Sequence, residues 1–113
     1  VGNDIIVGGS GQDQLNGNAG DDVITLSSGG GYAYGEGGAD TINGSNLGDG
    51  IYGGEGNDTL TGLLGNDTLR GEGGQDTIDG GEGNDDIDGG HGNDTLTGGA
   101  GDDVIGAGYG LNT

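Results

Sequence analysis

The chain has 113 residues, of which 35 are glycine and 20 are aspartate or glutamate; Arg70 is its only lysine or arginine, and the formal charge is −19. With 27% apolar residues and no Phe, Trp, Met, Cys or Pro, it lacks the surface to offset conformational entropy by burial alone. The charge excludes nucleic-acid binding through phosphate contacts and adsorption to an anionic membrane, and the absence of cysteine excludes a disulfide framework.

A chain of this composition is either a flexible acidic tract or one whose missing folding energy comes from an inorganic cation. Acidic tails carry charge in blocks, whereas these aspartates are evenly spaced. No apolar run approaches the roughly 18 residues of a membrane-spanning helix, so no membrane insertion is expected, and no signal peptide is apparent.

Written in nines from Gly8, the sequence keeps one register from end to end. Gly8–Asn16 reads GGSGQDQLN, and further on come GGEGNDTLT from Gly53, GGEGNDDID from Gly80 and GGHGNDTLT from Gly89. A fixed period over a whole chain is the mark of a solenoid. The first six positions of each repeat, with up to three glycines, predict a turn that uses positive φ. The last three predict a short strand, from Ile5-Ile6-Val7 and Gln14-Leu15-Asn16 through Thr59-Leu60-Thr61 to Val104-Ile105-Gly106. Side chains alternate across a strand, so only the eighth position points inward. There stand Ile6, Leu15, Ile24, Ala33, Ile42, Ile51, Leu60, Leu69, Ile78, Ile87, Leu96 and Ile105.

The sixth position holds Asp4, Asp13, Asp22, Asp40, Asp49, Asp58, Asp67, Asp76, Asp85, Asp94 and Asp103, interrupted by Gly31 and by Asn112. The repeat Leu26–Tyr34, LSSGGGYAY, lacks this aspartate and places Ala33 inside, which predicts a tolerated defect with a shallow core.

The pattern G-G-x-G-x-D-x-U-x, with U apolar, resembles the RTX (repeats-in-toxin) nonapeptide family over essentially the whole chain. The resemblance implies an all-β fold: a right-handed parallel β-roll with two repeats, 18 residues, per coil. It implies calcium ions between loops 18 residues apart, taking carboxylates and loop carbonyls from both. Calcium prefers such donors, binding six to eight oxygens at about 2.3–2.6 Å. The expected ligands are the slot-six residues Asp4 through Asp103 just named and Asn112, with the carbonyls of Gly54, Gly56, Gly65, Gly74, Gly81, Gly83, Gly90, Gly92, Gly99 and Gly101.

In this register the aspartates form two columns. One runs Asp4, Asp22, Asp40, Asp58, Asp76, Asp94, Asn112; the other runs Asp13, Gly31, Asp49, Asp67, Asp85, Asp103. Two-carboxylate sites predict about eight well-formed ions, enough to cancel most of the charge and to turn binding energy into folding energy.

Catalysis is not expected. His91, the single histidine, falls in a variable loop position. Paired carboxylates suit a glycosidase, but acid–base chemistry needs two different environments, and the slot-six aspartates share one. One face should stack Thr41/Asn43, Thr59/Thr61, Thr77/Asp79 and Thr95/Thr97, a T-x-T array compatible with ice binding. The other stacks Asn16, Tyr34, Tyr52, Arg70 and Asp88, with Tyr32 nearby, a possible glycan platform or plain cross-strand stacking. On length the chain is one domain, residues 1–113, expected to be a monomer and a piece of a larger protein. The family resemblance further implies secretion from a Gram-negative bacterium through a type I system. Adjacent domains of the parent, whether protease, lipase, epimerase, toxin or adhesin, are its expected partners besides calcium.

Overall fold

The computed structural model describes residues 2–113. Twelve strands stack as two six-stranded parallel sheets, and the chain alternates between them at every repeat. The first sheet contains β1 (Ile5–Val7), β3 (Val23–Thr25), β5 (Thr41–Ser45), β7 (Thr59–Leu64), β9 (Thr77–Glu82) and β11 (Thr95–Ala100). The second contains β2 (Asp13–Asn16), β4 (Gly31–Gly37), β6 (Gly50–Glu55), β8 (Thr68–Gly73), β10 (Asp86–Asp88) and β12 (Val104–Gly106). Each residue pairs with its equivalent 18 positions on, as in Ile42↔Leu60 and Ile51↔Leu69. The result is a parallel β-solenoid of about six coils, two repeats to a coil, with extents of 34 × 31 × 13 Å. No helix occurs among the described residues.

The thin dimension holds one layer of side chains. Ile24, Ala33, Ile42, Ile51, Leu60, Leu69, Ile78 and Ile87 are fully buried between the sheets, as the eighth-position rule requires, with Ile6, Leu15 and Leu96 partly buried against them. Each strand meets the core through one residue and is held otherwise by its neighbours, the nearest-neighbour logic of a solenoid.

Two features depart from the sequence expectation. Many strands are longer than three residues: β5 runs to five, β4 to seven, and β6 to β9 and β11 to six. Identical coils stacked in register also align their loops, so pairing continues into the glycine-rich turn, as in Glu36↔Gly54 and Gly37↔Glu55. Nor is the core shallow at the irregular repeat. Leu26 stands where other repeats have their first glycine, and it is fully buried in the core cluster. Gly31 stands where they have aspartate, so no carboxylate competes for that space. The Gly/Asp pair of the repeat is exchanged for Leu/Gly, and Leu26 makes up for the small Ala33.

Candidate metal centres

Each slot-six aspartate from Asp22 to Asp94 sits between the loop and its strand and bonds to the coils on either side. The N–H of Asp40 donates to Oδ1 of Asp58 at 2.8 Å, and the Asp40 carbonyl accepts the N–H of Thr59 at 2.8 Å. The same N–H to Oδ1 bond links Asp4 to Asp22, Asp22 to Asp40, Asp58 to Asp76, Asp76 to Asp94 and Asp94 to Asn112 along one edge. Along the other edge it links Gly31 to Asp49, Asp49 to Asp67, Asp67 to Asp85 and Asp85 to Asp103. Both expected columns therefore exist, with aspartates of successive coils in contact.

The second carboxylate oxygen behaves differently. Oδ2 of Asp13, Asp22, Asp40, Asp58, Asp67, Asp76, Asp85 and Asp94 is buried without a hydrogen-bond partner. A buried carboxylate oxygen in that condition carries a large desolvation penalty unless a cation meets it. These oxygens point into cradles formed by the first glycine of the repeat. A Cβ on Gly53 would strike Asp58 Oδ2 and crowd the Gly71 carbonyl; Gly35 stands likewise to Asp40 and the Gly53 carbonyl, and Gly62 to Asp67 and the Gly80 carbonyl. The slot-one glycine is thus needed for space. Glycine fills the first slot in nearly every repeat, but this need for clearance was not legible in the sequence.

Loop carbonyls also point along the stack. A Cβ on Gly74 would meet the Gly56 carbonyl, and one on Gly83 the Gly65 carbonyl. Among the second-slot glycines, the Gly90 carbonyl already accepts the Tyr109 N–H at 2.7 Å, leaving it one lone pair for a cation. No three His, Cys, Asp or Glu side chains converge on one point among the described residues. A cation at these edges would therefore draw on two stacked carboxylates and on backbone carbonyls. That all-oxygen donor set fits calcium, a hard ion that tolerates irregular geometry.

The electrostatics agree. Burial, opposed by the N–H that each carboxylate accepts and reinforced by neighbouring carboxylates, pushes Asp58 and Asp76 up to about 6 and Asp67 to about 7. Asp40 and Asp85 are raised for the same reasons, burial foremost. Stacked negative charges in a dry setting take up protons or cations.

Position Asp49 differs from its equivalents. Its loop has Leu47 where the others carry glycine, and Ser45 turns inward. The Ser45 N–H donates to Asp49 Oδ2 at 2.6 Å while the Gly31 N–H takes Oδ1. At Asn112 the side-chain amide donates to the carbonyl of Ala107, its own slot-one residue. A second ladder was missed from the sequence. The fifth-position side chain accepts the fifth-position N–H of the next coil, as from Asn57 to Gln75, Asn66 to Asn84 and Asn93 to Leu111, each near 2.9 Å. The run of Asn and Asp immediately before the slot-six aspartate was its visible signal.

The outer faces carry the expected rows. Thr41, Thr59, Thr77 and Thr95 pair in register, while Asn43 and Asp79 interrupt the companion row of Thr61 and Thr97. On the second sheet Tyr34 and Tyr52 stack at 5.0 Å and 10°. Arg70 follows Tyr52 in that column but forms its ion pair with Asp86, at 2.8 Å. His91 is exposed and stacks on Tyr109 at 5.1 Å.

Two carboxylate-lined edges on a parallel β-solenoid, with carbonyls aimed between the coils, define a repeat scaffold built to hold hard cations. The chain belongs to the RTX calcium-binding nonapeptide repeat family, whose model matches four times, over residues 1–33, 32–51, 52–87 and 80–110. It is accordingly a calcium-binding module. No curated protein is similar enough to the chain to add a comparison.

Proposed function

We propose that calcium drives the folding of this module, that the module itself is non-catalytic, and that it forms part of a secreted protein. The observation that carries this reading is the set of eight buried Asp Oδ2 atoms without a hydrogen-bond partner, aligned in two columns. The stacked pairs from Asp4 to Asp94 on one edge and from Asp67 to Asp103 on the other would hold the ions. The carbonyls of the slot-two and slot-four glycines of adjoining coils, joined by the slot-one carbonyls that lie beside Oδ2, would complete each site. Asn112 contributes one neutral oxygen, and Asp49, with both oxygens engaged, makes a weaker ligand than its neighbours. About eight ions would neutralise most of the −19 charge.

Because unfolded chain presents no such sites, the binding energy becomes folding energy. With dissociation constants of about 10⁻⁴–10⁻³ M, typical of extracellular modules, the chain stays unfolded at cytosolic calcium and folds outside the cell. Export by a type I system, and neighbouring domains as partners, are supported by the family. Absence of catalysis is supported by the shared environment of the aspartates, whose perturbed members all shift the same way.

Native mass spectrometry in millimolar calcium tests this reading. The expected result is a population centred on about eight bound ions, with magnesium failing to reproduce it because it demands a tighter octahedron. One or two ions, or equal loading with magnesium, would overturn the proposal.

A further inference from the structure

The departures from the repeat gather in one region. Gly31 breaks the aspartate column, Leu47 replaces a loop glycine, Gly50 occupies a seventh position elsewhere filled mostly by Thr or Val, and Tyr32, Tyr34 and Tyr52 lie on the same sheet. Where these meet, at the leading edge of the second sheet, is a cavity of about 300 Å³. Its walls include Gln12, Tyr32, Asp49, Tyr52, Asn66 and Thr68.

The aromatic walls are held in place. A side chain at Gly50 would collide with the Tyr32 ring and touch Tyr52, so glycine there lets Tyr32 lie across the sheet. Tyr34 stacks on Tyr52 and fixes its plane. Tyr32 is 53% exposed, an open aromatic surface.

The polar walls narrow the ligand class. Asp49 brings the only charge, but it is 5% exposed and both of its oxygens already accept backbone N–H bonds, from Gly31 and Ser45. The cavity thus lacks the free carboxylate oxygens that a metal ion or an ammonium group would seek. No lysine, arginine or histidine lines it to hold an anion. What remains is a neutral ligand with one apolar face for a tyrosine ring and hydroxyls for the amides of Gln12 and Asn66 and the hydroxyl of Thr68. A pyranose ring has that chemistry: its axial C–H groups stack on aromatics and its hydroxyls both donate and accept.

We propose that this cavity binds a neutral sugar residue. The site shares Asp49 with the second aspartate column and requires that the roll be folded.

Saturation-transfer NMR on the chain in millimolar calcium tests it, using methyl glycosides of glucose, galactose, mannose and N-acetylglucosamine as probes, with sialyllactose and tetramethylammonium as charged controls. At least one neutral glycoside should show transfer to its ring C–H protons. Tyr32→Ala and Tyr52→Ala should each weaken binding by about tenfold. Tyr32→Phe should retain most of it, and Tyr109→Ala, outside the cavity, should leave it unchanged. Circular dichroism of each variant in calcium separates loss of the site from loss of the fold. The proposal falls if no neutral glycoside shows transfer. It falls equally if only the charged controls bind, or if the folded Tyr32→Ala variant binds as well as wild type.

Discussion

Asp58→Asn should change stability in opposite directions with and without calcium. Asp58 is 1% exposed, and burial raises its carboxyl from 3.8 to about 6. At ~1.4 kcal/mol per factor of ten in proton affinity, its ionisation costs the metal-free roll about 3 kcal/mol near pH 8. An asparagine keeps the Oδ1 that accepts the Asp40 N–H, and its amide can donate to the slot-one carbonyl of its own repeat, as Asn112 does to Ala107. In chelator the substitution is therefore stabilising. In calcium it removes a carboxylate that faces both Asp40 and Asp76, weakening two sites. Each site contributes about 1.4–2.7 kcal/mol at ten to a hundred times its Kd, so about 3–5 kcal/mol of calcium-dependent stability is at stake. Circular dichroism reads both halves. Osmolyte-induced folding in chelator should shift to lower osmolyte for Asp58→Asn, while the rise in Tm on adding calcium should shrink. A higher osmolyte midpoint, or an undiminished calcium response, would refute the reasoning.

Other outcomes follow from the same structure. In chelator, the folded-state pKa values of Asp58, Asp67 and Asp76 lie above their unfolded value of 3.8, so the folded chain binds more protons than the unfolded chain between about pH 4 and 7. Stability of the metal-free roll therefore falls as pH rises through that window, and acidifying chelated protein from about pH 8 to about pH 5 should increase its β signal. In calcium the effect reverses, because protons compete for the ligands; the calcium midpoint at about pH 5 should be higher than at about pH 8. Leu63 occupies the second slot with φ of 81° and is 43% exposed, a left-handed conformation that costs a bulky residue about 1–2 kcal/mol. Leu63→Gly should stabilise the calcium-loaded roll by about 0.5–1 kcal/mol, read as a Tm rise of a few degrees; a lower Tm would contradict this.

Much of this molecule is legible from its period. The eighth-position residues from Ile6 to Leu96 form the core, while Ile105, in the last coil with no coil beyond it in the stack, is left exposed. The sixth-position residues form two columns, and the outer rows pair as the 18-residue coil requires, because a regular repeat gives each residue the same surroundings as its equivalent one coil on. What the period could not show lies between slots. That Leu26 compensates for Ala33 follows only once the first and sixth positions are seen to share one space. The first-slot glycine looked like one more flexible loop residue, yet its role is clearance for Oδ2 of the aspartate five residues later. The fifth-position ladder was hidden because Asn and Asp before the slot-six aspartate read as solvated loop polarity, while in the stack they face the next coil's backbone. At Ser45–Asp49 the missing loop glycine is plain in the sequence, but capture of both Asp49 oxygens by backbone N–H groups required the fold.

The most direct test of calcium as the source of folding energy is the far-ultraviolet circular dichroism of the chain at about pH 8, first in excess chelator and then with calcium restored to millimolar levels. A disordered spectrum that converts to β-sheet on adding calcium, and not on adding magnesium, is the predicted result. A β-sheet spectrum already present in chelator would contradict it, because the charge of the stacked aspartates would then be tolerated without the ion.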